Sequence, residues 1–234
     1  MVCDTALTRY CRWYVFFTES AQAWPYVSTD PHTPLLDPTG YVMAVDSPFR
    51  HGLLVLIGYS IALVIAFWIV MEWILRRIEP LPPEVRPIWD RMFITFSIVF
   101  FIVAVVSWLL IAAVIHLVVG GSKTEGSFPD ALGIAGWSFA PEIVAFPLSL
   151  GLVYLDLRDV GFDGSNPERA IEGMEQLAME TSGMFGGIIF ILVTAWSVYI
   201  IAGMVSETHE VPRDRAWLAA MLIGVGSVVL HLIA

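Results

Sequence analysis

Residues 92–119 read MFITFSIVFFIVAVVSWLLIAAVIHLVV, and this stretch decides the class of the fold. It contains no Asp, Glu, Lys or Arg. About 20 helical residues cross the hydrocarbon core of a bilayer, and a helix satisfies its own backbone polar groups where lipid cannot. The stretch therefore predicts a transmembrane helix.

Four further runs have the same character: Leu53–Leu75, Ala131–Leu155, Met184–Val205 and Ala216–Ala234. Each is about long enough to cross a bilayer as a helix. We therefore expect an all-α fold, a polytopic membrane bundle of five transmembrane helices. A chain of this kind belongs in the cell membrane, with membrane lipids as its first partners.

The composition agrees with a membrane protein and argues against a nucleic-acid-binding protein. Hydrophobic residues make up 57% of the chain, above the roughly 45–50% of soluble domains. The net charge is −10 and Lys123 is the only lysine, a balance that predicts a haloarchaeal source because carboxylates stay hydrated where salt screens their repulsion. We expect no nucleic-acid partner, since no basic stripe is present to meet phosphates.

The orientation in the membrane does not follow from the loop charges. Five spans place six of the Lys and Arg residues on one side and six on the other. An excess of these residues normally marks the cytoplasmic side. The sequence therefore predicts no orientation.

Residues 1–51 form a segment of different composition ahead of the first span. The segment is rich in Trp, Tyr and Phe and contains Pro25, Pro31, Pro34, Pro38 and Pro48. Prolines at this frequency exclude long helices, and Trp and Tyr favour the headgroup layer. We expect residues 1–51 to lie along the membrane surface, with a loose tail as the alternative, and residues 52–234 to form the membrane domain.

The third run contains the sharpest candidate for a functional site. Pro141 and Pro147 predict a kinked or broken helix, of the kind that lines cavities in transporters. Glu142 directly follows Pro141, so it is a candidate protonatable carboxylate within the membrane. The alternative is that a helix begins near Pro141, because Pro and Glu both favour the first turn.

Three further ionisable residues lie within or near the apolar runs. His116 comes four residues before Gly120 and Gly121, which predict the end of the second span, and its imidazole is expected to bond to nearby backbone. Glu72 lies one turn before Arg76, a spacing that predicts an interfacial ion pair. His231, near the end of the last span, is expected at the interface.

Catalytic and cofactor motifs are absent from the sequence. It contains no metalloprotease helix motif, no nucleophile elbow, no P-loop and no dinucleotide-binding glycine pattern. Cys3 and Cys11 match no zinc spacing. We therefore expect a non-enzymatic protein with no catalytic residues, no metal and no cofactor.

Short motifs follow one another in a recognisable order: Gly120-Gly121 after an apolar helix, Ser127-Phe128 in a polar turn, Gly133 and Gly136 in a small-residue segment, then Pro141. This order resembles the Yip1 domain family of multi-pass membrane proteins. Trp196 to His209, Arg213–Trp217 and the final apolar run look like the closing two spans of that family. The resemblance covers residues 52–234.

The resemblance implies five spans and a role in membrane organisation. Eukaryotic relatives bind small Rab-type GTPases and shape or traffic vesicle membranes. The Asp-Leu-Tyr-Gly-Pro type motif of those relatives is absent here, which puts GTPase binding in doubt.

Two functional hypotheses follow from these observations. The first is a protein that acts by helix packing and by contacts with lipid, with a second copy of itself or with another membrane protein. The alternative is a small transporter or channel in which Glu142, with or without His116, binds a proton or cation in a cavity at the broken third helix.

Overall fold

Long helices dominate the computed structural model, which describes residues 33–44, 48–79, 85–119, 126–158, 160–163 and 184–233. The chain divides into two units, Met1–Thr33 and Pro34–Ala234. The first unit lies almost wholly outside the described residues, and the described fold is that of the second.

The described elements are α1 (Thr33–Leu36), α2 (Pro38–Ala44), α3 (Pro48–Leu75), β1 (Ile78–Glu79), α4 (Val85–Val119), α5 (Phe128–Trp137), α6 (Ala140–Leu157), β2 (Phe162–Asp163), α7 (Met184–Thr208) and α8 (Arg213–Ile233). Within the described residues, five stretches are long and apolar enough to cross a membrane: Pro48–Leu75, Arg86–Val119, Phe128–Leu157, Gly186–Thr208 and Arg213–Ile233. The predicted all-α fold with five membrane spans is confirmed.

The third span consists of two helices in sequence. A capping box starts α5, in which the Ser127 N–H donates to the Asp130 carboxylate at 2.9 Å and the Asp130 N–H donates to the Ser127 hydroxyl at 3.4 Å. Ser138 and Phe139 form a turn between α5 and α6. The helix α6 then continues through Pro147. A kink caused by proline stays a prediction.

The main core of the described bundle lies around α5 and the adjoining halves of α4, α7 and α8. Its most deeply buried apolar side chains are Ala112, Ile115, Val119, Ala131, Ile134, Ala135, Ile200, Ile201, Met204, Val205, Ala216, Ala219 and Ala220. Small residues on α5 and α8 let the neighbouring helices approach closely, which is how membrane helices gain packing contacts.

The crossing of α3 and α5 depends on three glycines. A Cβ built on Gly52 would come within 3.0 Å of the Gly133 backbone, and one built on Gly136 would come within 3.0 Å of the Gly52 backbone. A Cβ on Gly133 would meet the backbone of Pro48 and Phe49 at 2.5 and 2.6 Å. Because each obstacle is backbone, no side-chain rotation could relieve it. The two helices therefore cross in backbone contact.

The opposite end of the bundle joins the α3–α4 loop to the segment that follows α6. Ile78 pairs with Phe162 and Glu79 with Asp163 in a two-residue parallel ladder. The Arg77 guanidinium donates to the Arg158 carbonyl. Glu72 pairs with Arg76, as the sequence predicted, and also with Arg86, both at 3.3 Å. Leu75, Ile78 and Leu157 form a small second core beneath these contacts.

The described part of the N-terminal segment packs against α7. The Leu35 carbonyl accepts a hydrogen bond from Trp196 Nε1 at 2.9 Å, and the Leu36 carbonyl accepts one from the Tyr199 hydroxyl at 3.2 Å. Residues 1–32 of the predicted surface segment lie outside the described residues. The boundary between residues 51 and 52 stays a prediction.

Candidate functional site

Glu142 lies in the first turn of α6, one residue after the buried Pro141. The missing N–H of a proline costs nothing at this position, because the first turn of a helix leaves its N–H groups unpaired. Of the two placements that the sequence left open, a helix that begins near Pro141 is the one observed, since α6 starts at Ala140. Pro147 lies further along α6 and is exposed.

The Tyr59 hydroxyl of α3 lies beside the Glu142 carboxyl group, close enough for the two groups to interact. The Tyr59 ring stacks on Phe139 at 4.8 Å and on Phe146 at 5.7 Å, which fixes the direction of the hydroxyl. An intramembrane carboxyl is costly unless it is paired, and Tyr59 provides that partner. The sequence reasoning missed Tyr59 because it comes from a different span.

The turn between α5 and α6 is held by hydroxyl groups. The Ser197 hydroxyl of α7 donates to the Ser138 carbonyl at 2.7 Å. The Ser138 hydroxyl donates to the Ala135 carbonyl, also at 2.7 Å. Backbone carbonyls freed by a helix interruption must be satisfied inside a bilayer, and these contacts serve that purpose. The turn is therefore tied to α7.

His116 lies near the end of α4, away from the group formed by Glu142 and Tyr59. Its ring meets Phe128 edge-on at 5.6 Å. Its Nδ1 is buried and has no hydrogen-bond partner among the described residues, so the expected bond from this nitrogen to nearby backbone is not observed there. Gly120 and Gly121, the other candidates in this region, lie outside the described residues.

His209 is a buried polar residue that the sequence reasoning did not select as a site. It is 1% exposed, and neither ring nitrogen has a hydrogen-bond partner in the described part of the chain. Burial lowers the pKa of His209; the nearby Asp130 opposes this effect and the nearby His116 adds to it. A Cβ on Gly126 would strike the imidazole ring. The neutral imidazole therefore packs as part of the core.

The turn that follows α7 explains the position of His209. Glu210 has a φ of 49°, in the left-handed region, and the Val211 N–H donates to the Ser206 carbonyl at 3.2 Å. Such a closure satisfies the last carbonyls of a helix and reverses the chain. A polar turn of this composition normally faces water, so the sequence offered no sign that one of its residues is buried.

A groove about 260 Å³ in volume opens on the outer face of α3 and α4. It is lined by Ile57, Ser60, Ile61, Val64, Ile65 and Phe101. The Ser60 hydroxyl already donates to the Leu56 carbonyl at 2.9 Å. The groove is therefore apolar in character, and neither Glu142 nor His116 lines it.

These residues do not form one polar site. Glu142 is grouped with Tyr59, and His116 is grouped with Phe128, Asp130 and His209 at the end of the bundle. No group of three or more His, Cys, Asp or Glu residues that could hold a metal ion occurs within the described ranges.

Comparison with known proteins places the chain in a family. The model of the Yip1 domain matches residues 13–233, nearly the entire chain. The protein belongs to the Yip1 domain family. An uncharacterized protein of Methanocaldococcus jannaschii is 31% identical over 105 residues, which cover 45% of this chain and 72% of that protein. No solved structure matches the chain.

Membership of the Yip1 domain family confirms the resemblance seen in the sequence. The chain is a multi-pass membrane protein of this family. Gly133 and Gly136, which carried part of the resemblance, lie where α5 crosses α3. The family match also begins at residue 13, ahead of the predicted domain start at residue 52.

Proposed function

We propose that this Yip1-domain protein is a non-enzymatic membrane protein that serves membrane organisation in the cell membrane. It acts through helix packing and through contacts with lipid, with a second copy of the chain or with another membrane protein. A central packed helix surrounded by outward-facing apolar helices is the observation that supports this proposal.

The central helix is α5, whose residues Ala131, Gly133, Ile134, Ala135 and Gly136 are all buried. It packs against α3, α4 and α7. Since a ten-residue helix is too short to cross a bilayer alone, its contribution is to hold the surrounding helices together. This role supports a function based on packing.

The outer surfaces of the spans face away from the bundle. Between 17% and 33% of the residues in the most apolar window of each span are buried. On α4, Phe101, Val103, Leu110 and Leu117 are between 52% and 76% exposed. Membrane helices associate through such faces when packing between helices is better than packing with lipid. These faces are the surfaces on which we place the lipid and protein contacts.

Photocrosslinking in native membranes tests the proposal. A photoreactive residue at Val103, which is 54% exposed, should give adducts of defined mass with a second protein chain. The same residue at Ile115, fully buried in the same helix, is the matched control and should give none. Recovery of monomer alone from Val103 and from the other exposed positions of α4 would contradict a function based on protein contacts.

The transporter alternative depends on a single observation, the intramembrane carboxyl of Glu142. The Tyr59 hydroxyl beside it is compatible with a proton-binding role and with a purely structural one. Proton and ion flux in proteoliposomes at high salt separates the two. Flux that Glu142→Gln abolishes would favour transport, whereas no flux from folded wild-type protein would leave Glu142 with the structural role.

A further inference from the structure

A break in the backbone lies beside α7, between the short helices α1 and α2. Asp37 is the non-helical residue at this break. Pro38, the next residue, is fully buried, and a Cβ on Gly203 of α7 would lie 2.8 Å from its ring. The close approach at Gly203 fixes the height of Pro38 along α7.

The depth of this break in the membrane follows from the position of its contact residues along α7. Trp196, which bonds the Leu35 carbonyl, lies twelve residues before Thr208, the end of the span. At about 1.5 Å per residue this places Trp196 roughly 18 Å along the span, a little over half of a core about 30 Å thick. Leu35 therefore lies near the level of the middle of the span.

A second set of contacts gives the same level independently. Ser197, next to Trp196, bonds the Ser138 carbonyl in the α5–α6 turn, and the adjoining Phe139 stacks on Tyr59. Tyr59 lies eleven residues after Pro48, roughly 16 Å along α3 at about 1.5 Å per residue. Positions along two different helices, α7 and α3, thus place these contacts near the middle of the membrane.

Three polar backbone groups at the break bond to side chains. Trp196 and Tyr199 donate to the carbonyls of Leu35 and Leu36. The Gly40 N–H, at the start of α2, donates to the Asp37 carboxylate at 2.9 Å. Water would satisfy these groups at a membrane surface, but in hydrocarbon an irregular backbone is tolerated only where protein does so.

We propose that residues 34–44 insert into the bilayer along α7, with Leu35 and Leu36 near the middle of the membrane. This proposal replaces the surface location predicted for these residues and does not depend on the proposed function. Leu36, 71% exposed, then faces lipid tails. Tyr41, whose ring packs edge-on against Trp137 at 5.1 Å, joins the segment to the end of α5.

Depth-dependent fluorescence quenching tests the proposal. The background is Cys3→Ser with Cys11→Ser, and single cysteines at Leu36, Ile61 and Arg213 each carry a small fluorophore. Lipids brominated at the chain middle should quench Leu36 and Ile61 most strongly, because Ile61 lies in mid-span on α3 and is 55% exposed. Lipids with brominated headgroups should quench Arg213 most strongly, since it begins α8.

A Leu36 profile that follows Arg213 would overturn the proposal, provided that the labelled protein keeps its unfolding midpoint. Because the fluorophore itself could displace the segment, hydrogen–deuterium exchange of the unlabelled protein provides a second test. In nanodiscs, the amides of Leu35, Leu36 and Asp37 should exchange with deuterium as slowly as those of mid-span α7. Rapid exchange there, as at a hydrated surface, would also overturn it.

Discussion

At the scale of single residues, the most constrained positions are glycines and one histidine. Gly52, Gly133 and Gly136 place backbone against backbone at the crossing of α3 and α5. His209 fills space beside Gly126 with a ring that has no described hydrogen-bond partner. These residues stabilise the fold through close packing. Added volume at a glycine or a charge on the histidine should therefore lower stability.

Gly133→Ala should destabilise the protein. The added methyl group would meet the backbone of Pro48 and Phe49, and overpacking of this kind typically costs about 1–3 kcal/mol. Thermal unfolding in detergent measures the effect. Gly151→Ala in α6 is the matched control, because its Cβ would meet nothing within 4 Å, and it should change the midpoint little. Equal effects of the two substitutions would contradict the crossing.

His209 should make stability depend on pH. The folded protein holds the pKa of His209 below its ordinary value of 6.5, so the unfolded chain binds a proton more readily. Stability is therefore complete above about pH 6.5 and falls as the pH drops toward the folded pKa.

Unfolding midpoints measured between about pH 8 and about pH 5 should show this fall in the wild type and less of it in His209→Gln. His231→Gln is the control, since this exposed histidine stacks on Phe190 at the other end of the bundle. An unchanged pH dependence in His209→Gln would show that other groups cause it.

Some of the contacts that single residues make were predictable from the sequence, and others were not. Glu72 and Arg76 are four residues apart on one helix, so their ion pair was predictable from spacing. Tyr59 and Glu142 lie on different spans, and His209 lies in a polar turn. Only the way that the helices pack shows that Tyr59 lies beside Glu142 and that His209 is buried.

At the scale of elements, the third span is the part of the fold that departs most from a simple helix. Its apolar run predicted one crossing, and Pro141 predicted a disturbance. The structure places the interruption at Ser138 and Phe139, directly before the proline, with Pro141 at the start of the next helix. The location follows from the preference of proline for a first turn. The contact that holds the turn, from Ser197, could not be predicted because it comes from α7.

Ser197→Ala should weaken this element. It removes the 2.7 Å bond to the Ser138 carbonyl, and hydrogen bonds between membrane helices average about 0.6 kcal/mol, with an upper range near 1.7. Unfolding by denaturing detergent measures the loss. Ser227→Ala is the matched control, since its hydroxyl bonds the Ile223 carbonyl of its own helix at 3.0 Å. A loss no greater than that of the control would mean that the Ser197 bond does not stabilise the turn.

At the scale of the whole molecule, the long apolar runs predicted the number of spans, and the order of the short motifs predicted the family. Helix order is also simple, since five spans alternate in direction. The docking of residues 34–44 on α7 was not predictable, because prolines and aromatic residues suit both a surface segment and one that packs on helices. That distinction depends on which side chains of α7 meet the segment.

The described helices imply five membrane crossings, with α5 and α6 counted as one. Single cysteines in the background without Cys3 and Cys11 test this topology by labelling with an impermeant maleimide in sealed vesicles. Cysteines at Pro129 and Arg213 should react from one side of the membrane, and cysteines at Arg76 and Asp156 should react from the other. Reaction of the cysteines at positions 129 and 156 from the same side would rule out five crossings, because α5 and α6 would then not cross the membrane together.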